Sequence, residues 1–429
     1  MMLILNKERI IMQMNAQNIT TQKELAELAN LPESQLSLML SKKYNPLRTN
    51  VVKLAEILGI PLSEILAPES TQIQFDRYNY KHDNFLEVKD VKPKKRVTVL
   101  ETFAGAGGLA LGLEKAGIET LGAVELDKNA AQTLRTNRPN WNVIEADITE
   151  VAAKGVKNLL AEKEIDILSG GYPCQTFSYA GKRKGMEDTR GTLFYPYSQI
   201  LKEIKPKVFI AENVKGLVNH DHGKTLETMI KVFEESGYSI YWNVLNAWDY
   251  DVAQKRERIV IVGVRNDLVA QQKYAFAFPL KQTYRPVLRD VLKNVEKEII
   301  VNYSDAKKQV MELVPPGGSW VDLPEEVAKE YLGKSWYSGG GKRGMARRLS
   351  WDEPSLTLTT SPSQKQTERC HPDETRPLTV AEYARIQSFP DDWIFEGSTT
   401  AKYKQIGNAV PVNLATYIGK AVIHYLNQF

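Results

Sequence analysis

Two thiols occur in the 429 residues, Cys174 and Cys370, and the surroundings of the first are those of a nucleophile. Cys174 follows a predicted strand, Ile165-Asp166-Ile167-Leu168-Ser169, and the turn Gly170-Gly171-Tyr172-Pro173, and Gln175 comes next. A thiol in a glycine-rich loop at a strand exit, beside helix amides, is accessible and partly ionised, as attack on carbon requires. A buried free cysteine is the commoner fate of this residue type, and the composition of the loop argues against it here. A second group lies upstream. A β-rich run, Val97 to Phe103, ends at Ala104-Gly105-Ala106-Gly107-Gly108 and continues into a helical stretch, Leu109 to Ala116. Strand, glycine turn and helix in that order let the backbone approach a ligand at the carboxyl end of the strand. The next predicted strand, Thr120 to Val124, ends in Glu125, and a third, Asn142 to Glu145, ends near Asp147. Acids at successive strand ends suit an adenosine: Glu125 for the ribose hydroxyls, Asp147 for the adenine amino group. The turn offers no phosphate-binding lysine, which favours an adenosyl ligand without phosphates over a nucleoside triphosphate. By themselves the glycines also fit a structural turn or a dinucleotide fingerprint.

The stretch Gly170 to Ser178 resembles the catalytic loop of the cytosine-C5 DNA methyltransferases, and other segments follow in that family's order. Ala211-Glu212-Asn213-Val214, delivered to the same sheet edge by a strand over Pro206 to Ile210, matches the family's acid motif. Gln254-Lys255-Arg256-Glu257-Arg258 precedes an apolar strand, Ile259 to Val264, with alternation aiming both arginines to one side. Arg376-Pro377-Leu378-Thr379, Glu382 to Phe389 and Gln405-Ile406-Gly407-Asn408-Ala409-Val410-Pro411 complete the series. The resemblance spans Val97 to Phe429. It implies S-adenosylmethionine as methyl donor, Cys174 as nucleophile toward C6 of cytosine, and Glu212 as the acid facing N3, with a raised pKa in an apolar pocket. It further implies that Arg256 and Arg258 contact the flipped base and the loop. Phe103, Gly105, Gly107, Gly108, Glu125, Asp147, Pro173, Asn408 and Ala409 would hold the cofactor. A stacked base is out of reach of such a site, so the target cytosine must rotate out of the duplex. Gln175, Ser178 and Arg190 belong to a loop, Ser178 through Gly191, whose charge and glycines suit a lid closing over DNA.

Other elements must position this machinery. Residues 18 to 66 carry apolar positions at helical spacing, interrupted at Asn30-Leu31-Pro32, and resemble repressor-type helix-turn-helix domains. That likeness places Ser34, Gln35, Ser37 and Lys42 toward a major groove or its phosphates, with a helical docking domain as the plainer alternative. Ala67 to Arg96 loses the apolar rhythm and ends in the basic run Lys92 to Arg96, as a linker would. Between Asp267 and Gln366 lie mixed loops, Pro315-Pro316-Gly317-Gly318, Gly339 to Gly341 and basic Lys342, Arg343, Arg347 and Arg348. The resemblance makes this interval the target-recognition domain and places Thr357 near the flipped nucleotide's phosphate.

The expected fold is α/β: a doubly wound methyltransferase sheet, a smaller target-recognition domain and an all-α helix-turn-helix domain. The boundaries are 1-70 for the helix-turn-helix domain, 71-95 for the linker, 96-268 plus 368-429 for the catalytic domain and 269-367 for target recognition. Apolar residues at 42% and charged residues at 25% are globular values, and no stretch approaches the roughly 20 apolar residues of a membrane span. Two cysteines suit a reducing cytoplasm, and a net charge of +4 permits an anionic partner without proving one. The expected partners are double-stranded DNA and, through the N-terminal domain, the protein's own promoter; no metal is required. A restriction-modification role is the expectation, with a tRNA cytosine methyltransferase and a regulator with a relic methylase body as rivals.

Overall fold

The computed structural model describes residues 5–17, 19–41, 48–60, 65, 84–160, 164–172, 192–271, 274–295, 301–337, 342 and 344–429. The chain divides into two compact units, residues 1–81 with 218–227 and residues 82–217 with 228–429.

The first unit contains four helices among its described N-terminal residues: α1 (Lys7–Ala16), α2 (Gln22–Leu28), α3 (Glu33–Met39) and α4 (Arg48–Leu58). The fold begins well before residue 18, since Leu5, Ile10 and Met14 are buried with Leu25, Leu36, Leu54 and Leu58 in one apolar core. Thr21 caps α2 by accepting from the Glu24 amide at 3.1 Å, and the Glu24 carboxylate accepts from the Thr20 amide at 2.9 Å. The turn to α3 places Asn30 at φ 49°, a left-handed position that asparagine tolerates better than most residues, and Pro32 caps the next helix. On α3, Leu36 and Met39 face the core while Ser34 and Ser37 are exposed and Gln35 is half-buried.

The second unit is built on a seven-stranded sheet of order β4-β3-β2-β5-β6-β9-β7. Its strands are β2 (Thr98–Thr102), β3 (Glu119–Glu125), β4 (Asn142–Glu145), β5 (Ile167–Gly170), β6 (Val208–Val214), β7 (Tyr238–Asn246) and β9 (Glu257–Arg265). Five strands, β2 to β6, pair in parallel, and β9 runs antiparallel to both β6 and β7. The order reverses between β2 and β5, so a crevice opens at their carboxyl ends, where open α/β sheets bind ligands. Helix α5 (Gly108–Ala116) leaves β2 and packs on α6 (Val412–Leu426), the last helix of the chain. A Cβ at Gly112 would stand 2.3 Å from that of Ala415, so only glycine permits this approach.

Two segments depart from the sequence-based boundaries. Residues 84–95 are not a free linker. Strand β1 (Phe85–Leu86) pairs in parallel with β10 (Phe278–Pro279), Val88 is buried in the sheet's core, and the Lys94 amide donates to Asn427 Oδ1 at 2.8 Å. Arg96, read as one of a run of phosphate-seeking cations, pairs with Glu119 at 2.7 Å. The interval from 269 does not begin a new core either: Phe276 and Phe278 join the core of the sheet, and Leu288 and Leu292 join that of Leu349, Leu378 and Tyr383. A separate small core starts at Tyr303 and gathers Met311, Val314, Leu323, Ala328, Leu332, Met345 and the second thiol, Cys370. Arg348 closes it from within, donating to the carbonyls of Met311 and Val314 at 2.6 and 2.7 Å, so this arginine is scaffold.

Candidate active site

At the end of β2 the chain turns sharply: Phe103 and Gly105 adopt φ of 54° each and Gly107 of 84°. Among the described residues no atom lies within 4 Å of where a Gly105 Cβ would stand, so the carboxyl end of the strand is open there. Gly108 is closed off, because an added Cβ would meet the Val410 carbonyl at 2.3 Å and the Ala409 Cβ at 3.1 Å. The two glycines thus do different work, one facing open space and the other docking the 409–410 turn onto the start of α5. Asn408, the last residue of helix Thr399–Asn408, is exposed beside that turn.

Glu125, at the end of β3, accepts from the Gly105 amide at 2.6 Å and from the Asp127 amide at 2.8 Å. Its carboxylate is thereby fixed against the glycine turn, and each oxygen keeps a lone pair for another donor. Asp147 caps helix Ile148–Lys154, accepting from the Thr149 amide at 2.7 Å. Beneath the turn lies Glu101, which the sequence reading passed over as part of a β-rich run. It is buried, touches Ser169 Oγ at 3.4 Å, and burial pushes its carboxyl well above the usual range, with the neighbouring Glu125 charge adding to the effect. The available signal was a lone acid inside an apolar strand immediately before the glycines.

Across the crevice, β5 ends at Gly170-Gly171-Tyr172. A Gly171 Cβ would come within 2.8 Å of Glu212 Oε2, and the Tyr172 carbonyl accepts from Asn213 Nδ2 at 2.8 Å. The Phe103 and Tyr172 rings meet edge to face at 6.5 Å between centroids, spanning the mouth of the crevice. Cys174 follows Tyr172 by two residues. It and Pro173, Gln175, Ser178, Lys182, Arg183, Lys184 and Arg190 lie outside the described residues, as do Lys42, Gly339 to Gly341 and Arg343.

Glu212 lies within β6 and not beyond its end, as predicted from Pro206–Ile210, because the strand runs on from Val208 to Val214. On the adjacent β9, Arg258 stands opposite Val214, two residues diagonal to Glu212, and its Nε reaches Glu212 Oε1 at 2.9 Å. Burial pushes the Glu212 carboxyl up, while the guanidinium groups of Arg258 and Arg256 pull it back down; burial prevails.

Arg256 corrects the expectation of a base contact. It lies between β8 (Gln254–Lys255) and β9, is fully buried, and donates from Nη1 to the Leu358 carbonyl at 3.1 Å and from Nη2 to the Gly407 carbonyl at 2.9 Å. Its hydrogen bonds in this structure are spent on two backbone segments. Thr357 joins the same layer: strand β11 (Ser355–Leu356) pairs with β8, and the Thr357 hydroxyl donates to the Lys255 carbonyl at 2.8 Å. Among the described residues there is no group of three or more His, Cys, Asp or Glu able to hold a metal ion, and no helix long and apolar enough to cross a membrane.

A switch-point crevice with a glycine turn on one side and a carboxyl–guanidinium pair on the other defines an α/β enzyme of the methyltransferase type. Residues 97–424 match the model of the C-5 cytosine-specific DNA methylases, and the chain belongs to that family. Residues 11–65 match a helix-turn-helix model, which agrees with the helices of the first unit. The chain is 67% identical over 429 residues to the type II methyltransferase M.Sau96I of Staphylococcus aureus, covering 99% of each. It is 56% identical over 339 residues to the type II methyltransferase M.Eco47II of Escherichia coli, covering 77% of this chain and 80% of that one. Among solved structures, a protein described as a DNA modification methyltransferase encoded within an E. coli prophage shares the fold at a TM-score of 0.58 and 23% identity, over 77% of this chain and 99% of that one. The S. pombe Dnmt2 methyltransferase does so at 0.53 and 18%, over 78% and 100%.

Proposed function

We propose that this cytosine-C5 DNA methylase modifies a flipped-out cytosine within one specific duplex sequence, with S-adenosylmethionine as methyl donor, as the modification partner of a type II restriction system in the cytoplasm. The observation that carries the reading is the largely buried Glu212–Arg258 pair at 2.9 Å, set beside the exit of β5 two residues before Cys174 in the sequence. The open face at Gly105 and the carboxylate of Glu125 fixed against it fit an adenosyl group without phosphates. Glu125 would bind the ribose hydroxyls, Asp147 the adenine amino group and Phe103 the ring or the sulfonium, while Gly107, Gly108 and the Asn408-Ala409 turn shape the wall and Pro173 borders it. Bound there, the cofactor supplies an electrophilic methyl group.

The protein's own groups prepare the base. The Cys174 thiolate forms a bond to C6, the C5–C6 double bond opens, and Glu212 gives its proton to N3, which leaves C5 able to take the methyl. Loss of the C5 proton to solvent base then expels the thiolate, restores the ring and returns the N3 proton to Glu212. Arg258 holds the Glu212 carboxyl in place, and Arg256 holds the strand that carries Arg258. Gln175, Ser178, Arg190 and Thr357 would contact the DNA, and the body gathered around the Tyr303–Cys370 core would read base edges. Ser34, Gln35 and Ser37, on the outer face of α3, would meet the enzyme's own promoter.

Bisulfite sequencing of host DNA after expression of the chain tests the reading. Protection of cytosine in one fixed context is the expected result; conversion of every cytosine, or methylation of total tRNA in place of duplex DNA, would refute it.

A further inference from the structure

A buried hydrogen-bond relay runs from the strand after β11 to the turn that closes on α5. The Leu358 amide donates to Gln254 Oε1 at 2.9 Å, and Gln254 Nε2 donates to Gln387 Oε1 at 2.8 Å. Gln387 Nε2 spends its two hydrogens on the carbonyls of Ile406 at 2.7 Å and Ala409 at 3.1 Å. Both glutamine side chains are wholly buried. A second arm runs parallel, since Arg256 ties the carbonyls of Leu358 and Gly407. The two segments also touch directly: a Gly407 Cβ would stand 2.2 Å from the Thr359 carbonyl. At the far end the same turn seats Val410 on Gly108, the first residue of α5.

Each amide in the relay has one orientation. If Gln387 turned its amide over, it would face the Gln254 donor with a donor of its own and leave two buried carbonyls unpaired, at a cost of about 1 to 3 kcal/mol for each. A displacement of Leu358 therefore cannot be absorbed locally. It either carries Gln254 and Gln387 with it or breaks the hold on Ile406 and Ala409.

We infer that Gln254 and Gln387 are positioning residues that couple the DNA-reading body to the cofactor-side turn, so that engagement of duplex DNA tightens the hold on the cofactor. The inference rests on the reading of the 303–370 body as the DNA reader and of Asn408-Ala409 as a cofactor wall. By reciprocity the cofactor tightens DNA binding by the same factor. Arg256 belongs to the same device, but it also neighbours Glu212, so the two glutamines isolate the effect more cleanly.

The test uses the full chain and S-adenosylhomocysteine, titrated calorimetrically with and without a duplex carrying the context found by bisulfite sequencing. In the parent protein the duplex is expected to strengthen S-adenosylhomocysteine binding by about tenfold or more, a usual coupling factor. Gln254→Glu keeps an acceptor for the Leu358 amide but presents no donor to Gln387. Its coupling is expected to fall to within about twofold, with each separate affinity within about threefold of the parent. Gln387→Glu keeps the acceptor for Gln254 and loses both donations to the turn, and should lose coupling in the same way. Full coupling in either folded variant, no coupling in the parent, or failure of both variants to fold would overturn the proposal, the last because the relay would then be scaffold alone. Absence of any methylated context would instead remove the proposed function, and it is read before any titration begins.

Discussion

Arg258 Nε lies 2.9 Å from Glu212 Oε1, on the diagonal between two antiparallel strands, with the side chains 12% and 13% exposed. The pair is held by backbone register, so its geometry exists before any substrate arrives. Glu212 is therefore a carboxyl whose burial favours its protonated form and whose partner restrains that shift.

A pH dependence follows with a definite sign. The acid form is the one able to protonate N3, so kcat is expected to fall on the alkaline side as the pH rises through the raised value of Glu212. Arg258→Met removes a group that pulls the pKa down and should move that limb to higher pH; a limb that moves to lower pH, or stays, contradicts the assignment. Glu212→Gln should lower kcat by about 10²- to 10⁴-fold and abolish the limb. The same upward shift makes the contribution of Glu212 to stability present in acid and lost as the pH climbs through its folded value. Denaturant midpoints of parent and Glu212→Gln should therefore converge in acid and separate above it, with the variant the more stable.

Cys174→Ala should abolish methyl transfer while leaving duplex and S-adenosylhomocysteine affinities within about threefold, since neither ligand is held by the thiol. A duplex with 5-fluorocytosine at the target position should trap a covalent complex with the parent protein and none with the variant, as judged by denaturing electrophoresis.

Glu125→Ala removes an acceptor fixed by the Gly105 and Asp127 amides. Loss of charged hydrogen bonds worth about 1.5 to 3 kcal/mol corresponds to about 10- to 150-fold weaker S-adenosylhomocysteine binding. Titration without DNA checks this, and an unchanged affinity would place the adenosyl group elsewhere.

Ser34→Glu with Ser37→Glu puts two negative charges on the exposed face of α3 without touching Leu36 or Met39 in the core. Binding to the DNA upstream of the gene should be lost in a gel-shift assay while methylation proceeds at the parent rate. Loss of both activities together would make this face part of the catalytic machinery.

Much of the site was legible because its residue types are dictated by chemistry at short range. The glycine turn, the acid of Glu125 twenty residues on and the Glu212-Asn213 pair announce themselves within single segments. Arg256 was located but its partners were misjudged, because Leu358 and Gly407 stand 102 and 151 residues away and offer only backbone carbonyls, which no side-chain pattern marks. The Gln254–Gln387 contact, 133 residues apart, was invisible for the same reason. Residues 84–95 were misread because two paired residues, Phe85 and Leu86, anchor a stretch whose composition is otherwise polar and basic. Glu212 was placed past its strand since the apolar run stops at Ala211, whereas the ladder to β9 continues to Val214.

The pairing of Phe85 and Leu86 with Phe278 and Pro279 also bears on how such genes can be cut and joined. A methylase body started at Val97 would forfeit a strand, the buried Val88 and the bond from Lys94 to Asn427, all supplied from upstream of the sheet. The portable catalytic module therefore starts at about residue 84. Fusions that exchange the N-terminal regulator should splice ahead of that point, within 66–83, if the transplanted enzyme is to keep its edge.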